Sequence, residues 1–458
     1  MSYSSFIDSK RRHVAASGFK ADVKHHALFP FQRAIVEWAL DLGRAAIFAD
    51  TGLGKTFMQL SWAEQVYQET GKPVLLLAPL AVAHQTEREA KKFGIDGAAV
   101  VDGDCDQPIS IANYEKLHRF DCSRFSGVVL DESSILKNHQ GRTRNLLIRT
   151  FAETPYRLAC TATPAPNDHT ELGNHSQFLG LMDEAIMRAR WFVNDLGCVV
   201  QPWRLKRHAV QDFWRWVASW ARMVGQPSDM GDFEDAGYDL PKLHEHLHHV
   251  SVDITSNRDD GMLFRVPDMS ATSVHKEKRL TAGARARYLA ALVKSEPDEP
   301  WAIWCETDYE QDAVMEALPD AVDVRGSMKP EEKAKRLLAF VDKGGMLVTK
   351  PKIAAMGLNW QHAARMAFVG GSYSYEAYYQ AVRRQWRFGQ QREVHAHVVM
   401  SKTEAAMWTA IRRKADGHTR MKCAMFAASR RAALAANAQE TYQPSHIARC
   451  PAWLTGSL

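Results

Sequence analysis

The stretch Ala45-Ala46-Ile47-Phe48-Ala49-Asp50-Thr51-Gly52-Leu53-Gly54-Lys55-Thr56 decides the fold. Its first five residues are an apolar, strand-like run. Thr56-Phe57-Met58-Gln59-Leu60 reads as the start of a helix, so the glycines at 52 and 54 stand in a strand-to-helix turn. Glycine there lets backbone N–H groups turn inward around an anion, and the helix start adds the positive end of its dipole. Thr51, Gly52, Leu53 and Gly54 would line such a cradle. Lys55 would reach the outer phosphates, and the Thr56 hydroxyl would bind Mg²⁺. The usual pattern opens on glycine, where this chain has Ala49. The implied ligand is a nucleoside triphosphate.

Outward from this turn, short apolar runs alternate with amphipathic helical ones. Strands are expected at 45–49, 74–78, 109–112, 128–130 and 157–161, with helices at 83–93 and 142–151 among them. A second series follows, with strands at 301–305, 321–324, 346–349, 366–369 and 394–400 and helices at 309–318, 331–341 and 374–386. This rhythm predicts an α/β fold of two lobes, each a parallel sheet flanked by helices, with function at the C-terminal strand ends. Only the first lobe has a phosphate turn, so one nucleotide site between the lobes is expected. The expected layout is an extension at 1–27, a first lobe at 28–182, a mainly helical, aromatic-rich insertion at 183–274, a second lobe at 275–415 and a basic tail at 416–458.

The 458 residues are 46% hydrophobic and 24% charged, enough for two ordinary cores. A net charge of +5 does not by itself require nucleic acid. Seven scattered cysteines without a Cys-x-x-Cys pair fit reduced thiols. Residues 1–20 lack an apolar core segment, and no apolar run reaches membrane-spanning length. A soluble, cytoplasmic protein is expected.

Two features of the middle segment stay open. The helix expected at 208–224 carries Phe213, Trp216, Val217 and Trp220 at i, i+3, i+4, i+7, the spacing of burial, although an aromatic surface for bases is the alternative. His244, His246 and His248 share a face if their segment is a strand. They are then either candidate zinc ligands or an ordinary polar strand face, with no cysteine nearby.

Val128-Val129-Leu130-Asp131-Glu132 is a strand ending in two acids. In nucleotide hydrolysis Asp131 would hold Mg²⁺ and Glu132 would orient the attacking water. Thr161, Ala162 and Thr163 end another strand, where hydroxyls could couple the acids to the partner lobe. Gln380, Arg384 and Arg387 fall at i, i+4, i+7 on one face of the 374–386 helix or at its end. Two guanidinium groups delivered from there to a γ-phosphate would act as arginine fingers do.

Together these motifs resemble the superfamily-two helicases (DEAD/DEAH-box in the broad sense), and within them the Swi/Snf-like DNA translocases. Leu28-Phe29-Pro30-Phe31-Gln32 resembles the adenine-contacting segment, which implies that Gln32 reads the base. Asp131-Glu132-Ser133-Ser134 is similar to the acid box, with Ser134 where a histidine is common. Leu77-Ala78-Pro79 and Ser110-Ile111-Ala112-Asn113-Tyr114 resemble first-lobe DNA-contacting segments. Arg325-Gly326-Ser327 and Met356-Gly357-Leu358-Asn359 resemble their second-lobe counterparts. The resemblance thus implies nucleic-acid contacts at Pro79, Asn113, Tyr114, Arg325, Gly326 and Asn359, and nucleotide contacts at Gly357 and Gln380. Residues 380–390, Gln-Ala-Val-Arg-Arg-Gln-Trp-Arg-Phe-Gly-Gln, match the Swi/Snf-like sixth motif at its glutamines, arginines and glycine.

The compact lobes look most like bacteriophage and prophage helicases. The implied activity is ATP hydrolysis with Mg²⁺, stimulated by DNA, duplex favoured, with binding largely independent of sequence. A single-strand DNA or RNA helicase of the same superfamily is the alternative enzyme. A hydrolysis-poor, nucleotide-dependent DNA-binding scaffold or loader is the alternative outside catalysis.

Overall fold

The structure, a computed structural model, describes residues 16–166, 168–194, 203–253, 255, 271–351, 353, 359–371 and 374–434. In the first lobe β1 (Arg44–Ala49), β2 (Val74–Ala78), β3 (Ala98–Val100), β4 (Ile109–Asn113), β5 (Gly127–Asp131) and β6 (Tyr156–Cys160) run parallel. β7 (Phe192–Asn194) and β8 (Trp203–Leu205) form a small antiparallel hairpin apart from the sheet. β9 (Ala221–Val224) then joins the sheet beside β1, giving seven strands in the order β3-β4-β2-β5-β6-β1-β9. Val74-Leu75-Leu76-Leu77-Ala78 is buried throughout, as a strand covered on both faces must be.

The second sheet holds β10 (Leu243–Val250), β11 (Trp301–Trp304), β12 (Val322–Asp323), β13 (Met346–Thr349), β14 (Arg365–Val369) and β15 (Val394–Ser401), all parallel, in the order β10-β15-β14-β11-β13-β12. Its two faces have separate cores. Ala302 and Trp304 point to one with Phe340, Trp360 and Tyr378, while Trp301 and Ile303 point to the other with Leu289 and Val314. That alternation is the period of two of a strand sandwiched between helices. The architecture is therefore two parallel α/β sheets, seven- and six-stranded, flanked by helices.

The segment between the lobes differs from the expected insertion. Its helix runs only Val210–Trp220, and the four residues expected to continue it form β9. Backbone pairing with the exposed edge of β1 wins over helical continuation there, and Asp50 N–H extends the contact to Val224 O at 2.9 Å. Arg222 is accommodated within this buried strand by lying over the Trp38 ring, 4.0 Å from its centroid, and donating to Ala218 O. Phe213, Trp216 and Trp220 are buried in the first-lobe core, with Trp191 stacked on Trp216 at 4.6 Å. The spacing serves burial rather than a surface for bases. β10, from the same segment, belongs to the second sheet.

Two helices cross the expected borders. Ala271–Ser295 spans position 275, and Ala405–Leu434 runs from the second lobe into residues expected as tail. The latter places Met421, Met425 and Ala428 in the first-lobe core, and Ser429 Oγ accepts Met223 N–H at 2.9 Å. Among the described residues no helix is long and apolar enough to cross a membrane. Their five cysteines are free thiols.

Candidate functional site

The site assembles at the C-terminal ends of the first sheet. The loop after β1 carries residues 50–54, the end of β5 carries Asp131 and Glu132, and the end of β6 leads into Thr161–Thr163. Gly54 caps the helix Lys55–Thr70 at φ 77°, and Gly52 stands at φ 96°. Both conformations favour glycine. A Cβ on Gly52 would also meet Phe388 Cβ of the second lobe at 2.9 Å, and one on Gly54 would meet Gln32 Nε2 at 2.3 Å. Lys55 Nζ donates to Ala49 O at 2.8 Å, which holds the side chain across the loop. Burial lowers its pKa, while Glu132, Asp50 and Asp131 act to keep it charged. Thr56 is the second residue of the helix, half-buried beside the loop.

Gln32 is buried, and its amide joins two elements. It accepts Phe29 N–H at 3.0 Å and donates to Leu53 O at 2.9 Å, fastening the helix Pro30–Leu42 to the phosphate loop. The amide keeps a second N–H and a second oxygen lone pair for further bonds.

Asp131 is buried and accepts from Gln59 Nε2 at 2.8 Å, one turn along the helix from Lys55. Glu132 accepts from Thr161 Oγ1 at 3.2 Å, and the same hydroxyl takes Thr163 N–H at 3.1 Å. Ala162 and Thr163 are buried. Glu132 is the one non-glycine residue with positive φ among those described, at 52°. Such a backbone is costly away from glycine and recurs where a side chain must be aimed. Burial raises the pKa of both acids: Gln59 and Lys55 oppose the rise at Asp131, and Lys55 opposes it at Glu132, where the Asp131 charge adds to it. A pair of desolvated oxygen ligands beside a hydroxyl suits a hard divalent cation.

Behind the acids, Ser133 Oγ lies 3.1 Å from His175 Nε2, and Phe48 meets the imidazole edge-on at 5.2 Å. Thus an imidazole from the helix Leu172–Phe178 sits behind a loop that has Ser134 where histidine is common in the resembling motif. Burial pushes the His175 pKa down from 6.5 to about 4. The unfolded chain therefore takes up a proton near pH 6.5 that the folded chain refuses until about pH 4. Stability from this residue is complete above pH 6.5 and falls through that window by up to about 1.4 kcal/mol per pH unit. Thermal melts from pH 8 to pH 4.5 should show a shallower acid loss in His175→Gln than in the parent protein.

The second lobe meets this edge with the residues after β14. The helix Tyr375–Val382 ends before Arg384, so both predicted arginines leave from the turns beyond it rather than from a helix face. Gln385 and Gln390 hold those turns. Gln385 Nε2 donates to Arg365 O at 3.0 Å, and Gln390 Nε2 to Gln361 O and Ala363 O at 3.0 and 3.1 Å. Trp386 Nε1 donates to Pro241 O at 2.6 Å. Arg384 is lowered in pKa by burial, and the charge opposing that is Glu132 across the cleft. Burial, with Arg384 and Arg383 alongside, pushes Arg387 down to about 10. Its Nε is buried with no hydrogen-bond partner among the described residues. Gln380 is half-buried on the helix, and Gly357 lies outside the described residues.

Several participants escaped the sequence reading. Arg383 donates to Thr51 O at 3.0 Å and lies 3.4 Å from Asp50 Oδ1. Asp50 also accepts from Tyr379 OH and, at 3.0 Å, from Lys422 of the helix Ala405–Leu434. Burial alone would raise the Asp50 pKa, but Lys422 and Arg383 with these hydrogen bonds hold it far below the usual carboxylate range. Lys137 pairs with Glu376 across the same boundary. Arg383 could have been suspected from its place beside Arg384. Nothing local marks Lys422.

Of the residues expected to touch nucleic acid, Pro79, Asn113 and Tyr114 stand at the adjoining ends of β2 and β4, where Ala78 is paired with Asn113. Tyr114 OH donates to Asp131 O at 2.6 Å, and Asn113 Oδ1 caps the next turn through Glu115 N–H at 3.2 Å. Both side chains are turned inward. Pro79 precedes the helix Leu80–Lys92 at the end of β2. Arg325 is paired with Asp312 and Asp323 at 2.6 Å each, Gly326 O accepts Lys333 Nζ at 2.6 Å, and Asn359 is exposed.

Residues 31–201 match the SNF2-related domain. Over that stretch the chain is similar to the SNF2-related domains of the Swi/Snf ATPases. The matched stretch takes in the phosphate loop, the acid pair and Thr161–Thr163 of that SNF2-related domain, and it ends before the arginines of the second lobe. Protein p41 of Acyrthosiphon pisum secondary endosymbiont phage 1 is 27% identical over 289 residues, which cover 57% of this chain and 56% of that protein. The chain thus spans little more than half the length of this relative. The SWI2/SNF2 ATPase core of Sulfolobus solfataricus, solved in complex with dsDNA, superposes over 94% of this chain and 98% of its own, at 17% identity and a TM-score of 0.41. SNF2-related domains form an ATP-hydrolysing family.

Proposed function

We propose that this protein is an ATP-dependent DNA translocase that hydrolyses ATP to ADP and phosphate between its lobes when bound to DNA. The observation that carries the reading is the convergence of Arg383, Arg384 and Arg387 on the phosphate loop and acid pair of the SNF2-related domain. Arg384 and Arg387, whose charge burial opposes, are suited to a polyanion whose negative charge grows during phosphoryl transfer.

In this scheme Lys55 and the backbone of Thr51–Gly54 hold the phosphates, Gln32 borders the base, and Gln380 contacts the nucleotide from the second lobe. Thr56 and Asp131 are the fitting ligands for Mg²⁺, which would neutralise phosphate charge when bound. Glu132 accepts the proton of the attacking water, while Thr161 fixes the carboxylate that does so. Arg384, facing Glu132, stabilises the transferred phosphoryl group, and Arg387 supports it. Closure of the lobes places these arginines, which ties the chemistry to movement.

DNA backbone contacts are assigned to Pro79, Arg325, Gly326 and Asn359, and a nucleotide contact to Gly357. Asn113 and Tyr114 serve as supports that connect this edge to Asp131. Contacts of this kind track phosphates, so binding is expected to be salt-sensitive and largely indifferent to sequence.

The test is steady-state ATP hydrolysis without nucleic acid and with single-stranded DNA, duplex DNA or RNA. Stimulation of at least about tenfold by duplex DNA is expected. Stimulation by single strands or RNA alone would replace the reading with a helicase of those strands. No response to any of them would leave the scaffold or loader reading.

A further inference from the structure

The histidine tract left open by the sequence acquires partners in the fold. β10 is the edge strand of the second sheet and pairs in parallel with β15 over eight residues, which puts His244 beside His395 and His246 beside His397. In parallel strands such partners share a face. With His248, five imidazoles stand on that face in a stack. His244 lies over His395 at 4.7 Å, His395 over His246 at 5.2 Å, His246 over His397 at 4.5 Å and His397 over His248 at 5.3 Å.

Their nitrogens converge in pairs: His246 Nε2 lies 2.9 Å from His395 Nδ1, and His248 Nε2 lies 3.0 Å from His397 Nδ1. One ligand nitrogen from each of His246, His395 and His397 falls within 4.8 Å of the other two. Two imidazole nitrogens on a tetrahedral zinc ion, each 2.0–2.1 Å from it, are about 3.3 Å apart. The His246–His395 pair is thus within a few tenths of an ångström of the separation of two ligands on one ion.

We propose that His246, His395 and His397 form a binding site for one divalent transition-metal ion, zinc being the best fitted, which fastens the edge strand β10 to β15. Three imidazoles select a borderline metal such as Zn²⁺, Co²⁺ or Ni²⁺ over Mg²⁺ or Ca²⁺, and an edge position leaves a fourth place for water. A second group, His244, Glu393 and His395, shares His395 and so competes for the same ion rather than adding another. Glu393 instead accepts from His244 at 3.0 Å, on the rim. Tyr288 OH meets His248 Nδ1 at 3.0 Å, and Trp301 backs His397 at 5.4 Å, so the inner end of the stack is held in place.

Arg365, paired across the sheet with His395, is the nearby cation, and Glu296 neutralises it at 2.7 Å. No residue of the nucleotide cleft takes part. The site therefore stands or falls apart from the proposed ATPase.

The test uses the untagged full chain, stripped with a chelator, dialysed and titrated with Zn²⁺ by calorimetry. Co²⁺ serves as a spectroscopic probe. One equivalent per chain, a raised melting temperature and the visible absorption of tetrahedral Co²⁺ are expected, with Mg²⁺ giving none of these. His246→Gln and His395→Gln, both at half-buried positions, should each weaken Zn²⁺ binding at least about tenfold, the scale that losing even an outer partner costs. His118→Gln, at an exposed histidine of the first lobe, should bind as the parent does. Absence of saturable binding, or equal binding in the two ladder variants and the parent protein, would overturn the proposal.

Discussion

Arg384→Ala should reduce DNA-stimulated ATP turnover about a thousandfold or more, with little change in nucleotide affinity. An arginine delivered to a transferring phosphoryl group contributes at this scale because its charge acts in a water-poor cleft and chiefly on the transition state. The structure gives Arg384 that setting: it leaves a turn held by Gln385 and Gln390, and Glu132 of the other lobe is the charge opposing its burial. Arg384→Lys should rescue little, since an ammonium lacks the planar fork of donors. The measurements are kcat with saturating duplex DNA, and affinity for a fluorescent ATP analogue. Turnover within tenfold of the parent protein would remove Arg384 from the transition state and shift attention to Arg383, which already touches Thr51 O.

Glu132→Gln should lower turnover by about a hundredfold to ten-thousandfold, the range associated with loss of a general base. The amide keeps the shape of the carboxylate, so ATP should still bind and the ATP-bound state should persist. Stability supplies a second readout with its own sign. The site raises the pKa of Glu132, which means that burial and the Asp131 charge disfavour the ionised form. A neutral isostere therefore should not lower the melting temperature at pH 7. Loss of activity with an unchanged or raised melting temperature separates a chemical role from simple disruption. A lowered melting temperature, or turnover close to that of the parent protein, would count against Glu132 as the base.

Most strands were legible because a parallel sheet buries both faces, so each strand reads as an unbroken apolar run between turn residues. Val74–Ala78 and Met346–Thr349 were bounded to the residue. The phosphate loop and acid pair were equally plain, since their chemistry fixes residue types at short spacing. β9 was not legible: Ala221-Arg222-Met223-Val224 continues a helical pattern and includes an arginine. Its strand state depends on the free edge of β1 and on the Trp38 ring that receives the guanidinium. The Asp50 cluster was hidden for a related reason. Its members come from three regions of the chain, and Lys422 sits in an otherwise ordinary basic helix. The inward turn of Asn113 and Tyr114 likewise depends on tertiary neighbours rather than on their own motif.

The helix Ala405–Leu434 begins at the end of β15 and finishes in the core of the other lobe. With 30 residues it is about 45 Å long. The chain thus passes from one lobe to the other twice, once through residues 225–242 and once along this rod. A pair of bodies joined at one point can swing apart and twist freely. Joined at two, they retain chiefly a rocking motion about the line between the attachments, and wide separation requires drawing Met421 and Met425 out of their seats. A motor built on this frame would advance by short, directed strokes. Its two lobes should also melt as one cooperative unit rather than in succession.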